Sequence, residues 1–273
     1  KMEEENELLW IQTSSRHVNC YELRKEVFID YTGNDEIRKY RNMKVMSDGD
    51  VWLWGTEQGL CHISHSENGI SSKIFDENNI GTNIVNFVFE DSSGYIWVGT
   101  NMGLFNIIDD IPVFNNKWDS SYDFHSVTET DNQILFFTYN NEILIYDKQN
   151  SSFLPIKDYS HNNSNFHINH TLRFDDNKIL ITGKGGTLIF DAAKSIFINS
   201  NAYFNDEVLK DAFVKIDNKN NGWIFNKSGY IWRYHKENAS FEKFKLIPES
   251  VLSFIDHERY YIYVDSRDIT WIS

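Results

Sequence analysis

The chain has 273 residues, 41% hydrophobic and 15% aromatic, enough to bury the core of one large all-β domain or two smaller ones. Trp, Tyr and Phe favour pleated, half-buried surfaces, so the composition leans towards strands. A formal net charge of -14, with no dense Lys/Arg cluster to offset it, opposes nucleic-acid phosphates and anionic membranes, and no nucleic-acid contact is expected of this region.

The first element is the run LLWIQT, ending on Thr13. Similar runs follow down the chain: VWLWGT ending on Thr56, YIWVGT on Thr100, ILFFT on Thr138, KILIT on Thr182 and GWIFN on Asn226, at spacings of 43, 44, 38, 44 and 44 residues. Nine residues after this position stand Asp109, Asp147 and Asp191, with His65 and His235 in the weaker copies. Asp91 lies six residues before Trp97, Asp217 six before Trp223 and Asp265 six before Trp271. The chain is therefore a repeat of about 40–45 residues. A rival alignment sets YYIYVD, near the end, in the Trp strand; it sacrifices both the Asp and the Trp.

Each unit reads as four short strands. In the best-preserved copy these are VNFVFED, YIWVGT, LFNII and PVFNN, with Ser-Ser-Gly and Asn-Met-Gly closing the first two hairpins. Gly94 and Gly103 supply positive φ at little steric cost. A four-stranded unit of this length suits the blade of a β-propeller, because stacking on two neighbours buries both faces of each small sheet. Trp97 is expected between blades; burying its ~150–250 Å² contributes at most roughly 4–6 kcal/mol before entropy is subtracted. The expectation is an all-β propeller of about seven units. Five are complete over about residues 43–258; the first lacks its first strand and the last its third and fourth. Residues 1–273 then form one propeller domain or a portion of one, either part of a longer array or a six-bladed ring in which the last unit's first strand completes the first unit, and no helical segment interrupts the repeat.

Cys20 and Cys61 make no disulfide framework and read as strand residues in small apolar sites. No stretch approaches the roughly 20 apolar residues of a membrane span. The acidic start KMEEENELLW lacks the features of a signal peptide, so any targeting or membrane segment is expected outside this chain.

Several motifs invite a chemical reading. The Asp-x-x-Gly turn resembles a metal loop, but Ser92, Ser93 and Gly94 bring little charge. An Asp side chain bonding nearby backbone amides explains it. His62/His65 and His167/His170 suggest a metal pair, yet residues three apart on a strand face opposite sides, and surface or loop positions are expected. Glycoside hydrolysis needs two carboxylates facing one bond, which 40 acidic residues offer by chance alone. No catalytic residue, metal or cofactor is assigned.

Recognition is expected on one rim, where the loops between second and third strands emerge beside the loops between blades. The first set holds TEQG, TNMG, TYNN, TGKG and NKSG; the second adds Tyr40, Arg41, Trp118, Tyr122, Tyr159 and Tyr203. Aromatic faces, amides and charged groups suit a glycan, and equally a protein contact. Trp118, Tyr122, Asn101, Arg41, Lys184 and Lys227 are the candidate ligand contacts.

The stretch EDSSGYIWVGTNMGLFNI resembles the two-component regulator propeller repeat, approximately D-x-x-G-x-I/L-W-x-G-T-x-x-G-L, at Asp91, Gly94, Ile96, Trp97, Gly99, Thr100, Gly103 and Leu104. DGDVWLWGTEQGL matches it at Gly55, Thr56, Gly59 and Leu60, with a one-residue difference before the Trp strand. NNGWIFNKSGYIW keeps Trp223 and Gly229 and loses the Gly-Thr pair. The resemblance implies the periplasmic sensor region of a Bacteroidetes-type hybrid two-component system. Such sensors commonly carry two seven-bladed propellers and a β-sandwich, followed by a membrane helix and a histidine kinase. It further implies an oligosaccharide ligand, homodimerisation of the whole protein and contacts with its remaining sensor domains. A scaffold or dimerisation module without a ligand is the alternative, and a glycan-active propeller enzyme a third reading.

Overall fold

The computed structural model describes residues 2–5, 8–13, 18–30, 40–66, 69–108, 111–114, 122–154, 157–158, 167–184, 186–199, 212–217, 221–225, 229–235, 238, 240–245, 262–264, 267 and 269–272. Every sheet among them is an antiparallel meander, as expected for a β-propeller. The chain divides into two compact units, Lys1–His125 and Ser126–Ser273.

The first unit holds three blades. Blade 1 is β1 (Met2–Glu5), β2 (Leu8–Gln12), β3 (Val18–Glu22) and β4 (Val27–Asp30). Blade 2 is β5 (Asn42–Val45), β6 (Val51–Trp54), β7 (Leu60–Ser66) and β8 (Gly69–Phe75). Blade 3 is β9 (Val85–Glu90), β10 (Ile96–Thr100), β11 (Gly103–Ile108) and β12 (Ile111–Phe114), close to the four strands expected from sequence.

The second unit holds the remaining blades; the first strand of blade 4, β13 (Phe124–Glu129), begins just before it. Blade 4 continues with β14 (Gln133–Thr138) and β15 (Glu142–Asp147), and its fourth strand is in two pieces, β16 (Ser152–Phe153) and β17 (Lys157–Asp158), both paired with β15. Blade 5 is β18 (His167–Asp175), β19 (Lys178–Lys184), β20 (Gly186–Asp191) and β21 (Ile196–Asn199). Blade 6 is β22 (Phe213–Ile216), β23 (Gly222–Phe225), β24 (Tyr230–His235) and β25 (Ser240–Lys245). A hairpin of β26 (Ile262–Val264) and β27 (Thr270–Ile272) follows.

Two expectations are corrected. The first unit has its first strand: Met2–Glu5 pairs with β2 from Met2↔Ile11 to Glu5↔Leu8. Glu is depleted in strands, so nothing in MEEE signals one, and backbone pairing to β2 defines it. A helical turn, α1 (Glu77–Ile80), does interrupt the repeat. Asp76 caps it by accepting from Asn78 N at 2.9 Å, Asn79 reaches back to Asp76 N at 3.2 Å, and Gly81 ends it.

Phe89↔Trp97, Lys215↔Trp223 and Tyr263↔Trp271 share one register in three hairpins, consistent with the alignment that keeps the Asp–Trp spacing.

Consecutive blades bury their faces against each other. Trp10 and Cys20 of blade 1 share a cluster with Met43, Val51, Leu53 and Cys61 of blade 2. Trp52 and Trp54 of blade 2 join Val88, Val98, Phe105 and Ile107 of blade 3. In the second unit, Leu135 and Phe137 meet Ile179 and Ile181, while Leu172 and Leu180 meet Ile224 and Trp232. Aligning every blade on its Thr misassigns faces in two of them. Leu53 and Ile179 stand three before Thr56 and Thr182, as Trp10 does before Thr13, yet they pack on the preceding blade and Trp10 on the following one. A one-residue shift turns every side chain of a strand over. Polar links also join neighbouring blades near their first hairpins: Ser47 N donates to Glu90 at 2.8 Å in the first unit, and Arg173 pairs with Asp131 at 2.6 Å in the second.

Candidate functional site

The repeated Asp is structural. Asp91 is buried, and its Oδ1 accepts from Ser93 N at 2.9 Å and Tyr95 N at 3.0 Å, as a turn-forming Asp should. Its Oδ2 accepts from the Trp97 indole Nε1 at 2.8 Å. The same bond joins Trp223 to Asp217 at 2.7 Å. The six-residue spacing thus clips a turn to a buried indole of the second strand. The Asp nine residues after the Thr position caps the next hairpin. Asp147 accepts from Gln149 N, Asn150 N and Asn150 Nδ2, and these bonds, the Asn150 side chain first, hold its carboxyl below the usual range. Buried Asp191 takes Lys194 N at 3.1 Å. Neither carboxylate set resembles a catalytic pair.

The histidines are strand residues, not loop residues. His62 lies on β7, its Nε2 2.7 Å from Asp50 Oδ2 and its ring stacked on Trp52 at 4.3 Å. His170, on β18, packs against Phe213 with ring centroids 5.2 Å apart. His65 and His167 also lie on these strands. Among the described residues no group of three His, Cys, Asp or Glu is placed to hold a metal ion.

Burial pushes His170 down from 6.5 to about 4, and the Lys215 charge adds to the shift. As pH falls, the unfolded chain takes this proton before the folded one does. The contribution is full above pH 6.5 and disappears as pH drops towards about 4. Urea titrations between pH 7 and pH 4 should show a loss on the order of 2–3 kcal/mol from this residue. His170→Gln should remove that share of the pH dependence, and an unchanged profile would reject the assignment.

The rim of the first unit is a continuous hydrogen-bonded structure. Gln12 Nε2 donates to Tyr40 O at 3.2 Å, tying blade 1 to the entry of blade 2. Tyr40 is buried, and its hydroxyl donates to Gln58 O at 3.3 Å. Arg41 N donates to Trp54 O at 3.2 Å, which leaves the exposed Arg41 side chain on this rim. Across the next junction, Gly59 N donates to Asn83 O at 2.9 Å and Val85 N to Gly55 O at 3.0 Å. Thr82 Oγ1 donates to Asn101 Oδ1 at 2.8 Å. Asn86 Nδ2 then reaches Asp123 Oδ1 at 2.9 Å and Phe124 O at 2.8 Å, at the entry to blade 4. Burial pushes the Asp123 carboxyl above its ordinary range, against the opposing effect of the Asn86 bond.

Loops between blades and loops between second and third strands therefore meet on one rim, as expected. Three candidates stand on it. Arg41 is exposed, half-buried Asn101 has its carbonyl engaged by Thr82, and half-buried Tyr122 stacks on Phe124 with centroids 6.1 Å apart. Met102 beside Asn101 is exposed. Lys184 closes β19 in the second unit, its backbone paired with His167. Trp118, Lys227, Tyr159 and Tyr203 lie outside the described residues. Sequence reasoning missed Thr82, Asn83, Asn86 and Asp123. None repeats, and their polar side chains look like any loop until the cross-blade bonds are seen.

Among the described residues no helix is long and apolar enough to cross a membrane. No protein-family model matches the chain, and no curated protein matches it. Solved structures do. One described as YCF48 bound to D1 peptide is 12% identical, with a TM-score of 0.56 over 85% of this chain and 76% of that one. The dihydro-heme d1 dehydrogenase NirN in complex with DHE is 10% identical, with a TM-score of 0.58 over 90% of this chain and 55% of that one. At such identities the likeness concerns the fold. The extracellular domain of the putative hybrid two component system BT3049 from B. thetaiotaomicron is 18% identical, with a TM-score of 0.43 over the whole of this chain and 42% of that one. The chain thus spans less than half the length of that domain.

Proposed function

We propose that this chain is a ligand-sensing, non-catalytic propeller region of an extracytoplasmic hybrid two-component sensor. In this reading an oligosaccharide binds the rim of the Lys1–His125 unit. The observation that carries the site is the chain of cross-blade bonds from Gln12 through Tyr40, Asn83, Thr82 and Asn86 to Asp123. It fixes the backbone beneath Arg41, Asn101 and Tyr122, so these groups are offered by a preformed surface. A guanidinium, an amide and an aromatic ring suit the hydroxyls and apolar faces of a sugar. The sensor assignment rests on the repeat, whose Asp, Gly and Trp carry the resemblance. A periplasmic location, a following histidine kinase and homodimerisation belong to the same proposal. A ligand alters such a receptor only through unequal affinity for two of its states.

Thermal unfolding against a panel of oligosaccharides tests the reading. A ligand at one hundred times its Kd should stabilise the protein by about 2.7 kcal/mol. Arg41→Ala, at an exposed side chain, should weaken that stabilisation and leave the unliganded melting temperature within about 1 °C. Absence of a shift with every glycan at saturating concentration would reject the oligosaccharide ligand and favour a scaffold. Release of sugar from the panel would instead establish an enzyme.

A further inference from the structure

Asp123 stands apart from the aspartates that build the blades. Asp48, Asp91, Asp147, Asp191 and Asp217 each accept a backbone N–H from two to four residues further on, so a turn explains them. Asp123 has no such bond. Among the described residues its half-buried carboxylate has one donor, Asn86 Nδ2, which reaches Oδ1 at 2.9 Å. The other hydrogen of that amide goes to Phe124 O at 2.8 Å, so Asn86 has none left for Oδ2. Asn86 is itself fixed, because its carbonyl takes the Trp54 indole at 3.2 Å. Asp123 is therefore held by one oxygen and offers the other. The upward shift of its carboxyl by burial is the direction expected of a charged group with too few donors.

Asn101 presents the complementary group. Thr82 engages its Oδ1, and no acceptor among the described residues takes its Nδ2. Thr82 and Asn86 belong to one short segment, braced by Ile84 N donating to Thr82 Oγ1 at 3.0 Å. An open donor is thus tied to one end of this segment and an open acceptor to the other. We propose that Asp123 Oδ2 accepts from a hydroxyl of a neutral oligosaccharide while Asn101 Nδ2 donates to another of its oxygens, and that Asp123 turns acidic sugars away; this rests on the oligosaccharide reading of the rim. A sugar hydroxyl both donates and accepts, so it fits either group. A sugar carboxylate or sulfate only accepts; it leaves Oδ2 without a donor and sets like charge beside it. The net charge of -14 acts in the same sense at longer range. An ammonium only donates, which would answer Asp123 and not Asn101.

Calorimetric titration with xylo-, manno- and cello-oligosaccharides and with oligogalacturonides tests this. The unaltered chain should bind one of the neutral series, and bind oligogalacturonides about ten-fold more weakly or worse. That comparison needs no variant, and a preference for oligogalacturonides would overturn the proposal. Asp123→Asn keeps an oxygen for Asn86 and puts an NH2 group where the open oxygen stood. It should weaken the neutral ligand about ten-fold or more, the usual loss when a hydrogen bond to a charged group is removed. It should also narrow the gap to oligogalacturonides, which a merely structural role for Asp123 would not do. The unliganded melting temperature should stay within about 1 °C. Unchanged affinity in Asp123→Asn would reject the inference alone. A chain that binds none of these sugars would reject the oligosaccharide reading, and the inference with it.

Discussion

Trp97→Ala should destabilise the protein by about 3–5 kcal/mol, the usual range for truncating a buried Trp. Trp97 is 4% exposed, and removing it leaves a cavity where its buried ring stood. It also leaves the Asp91 carboxylate, itself buried, without its indole donor at 2.8 Å. Two further variants separate these effects. Trp97→Phe keeps most of the apolar area and loses the donor, so it should cost about 1–3 kcal/mol. Asp91→Ala leaves the indole, Ser93 N and Tyr95 N without their acceptor and should cost more than Trp97→Phe. If the clip is one unit, the Asp91→Ala/Trp97→Phe pair will be far from additive. Urea unfolding followed by far-UV circular dichroism measures all four proteins. A loss below about 1 kcal/mol for Trp97→Ala would contradict the packing described above.

The legible part of the fold is the part that repeats. Asp91, Gly94 and Trp97 specify a hairpin whose turn, register and buried indole follow from spacing alone, and the same register recurs at Trp223 and Trp271. Spacing could not reveal a strand whose residues carry no strand signal, as at Met2–Glu5, nor a single capped turn such as Glu77–Ile80. It also failed wherever one residue shifts the alternation. Leu53 and Ile179 occupy the sequence position of Trp10 but the opposite face, because strand faces have period two and Thr spacing does not count them.

The candidate site was legible as a place but not as a set of contacts. Strand order requires the two kinds of loop to meet on one rim, and Gly59, Asn83, Gly55 and Val85 do meet there. Which polar groups are occupied depends on neighbours some 20–40 residues away in sequence. Thr82 engages Asn101 and Asn86 engages Asp123, so a residue that reads as a free contact is partly a strut. Arg41 escapes this, since its link to Trp54 uses the backbone N–H and not the guanidinium.

Gly59→Ala should cost about 3 kcal/mol or more, as a clash with backbone adds to an unfavourable φ. Gly59 has φ 71, and an added Cβ would lie 2.3 Å from the Phe75 carbonyl oxygen and 3.3 Å from Asp76 Cα. Neither neighbour can rotate away. Phe75 ends β8, and Asp76 caps the turn that leads to Asn83, whose carbonyl accepts from Gly59 N. Relief must come from moving that segment, which carries Thr82 and Asn83 into the rim. Gly94→Ala supplies the control. Its φ of 85 is just as unfavourable for Ala, but an added Cβ meets nothing within 4 Å, so the cost should stay near 1 kcal/mol. The difference between the two variants in urea unfolding isolates the steric contribution at Gly59. A difference under about 0.5 kcal/mol would mean that β8 and the rim turn are not in the contact described. Because the displaced segment holds the strut to Asn101, Gly59→Ala should also weaken any ligand of the rim, while Gly94→Ala should leave that ligand's affinity unchanged.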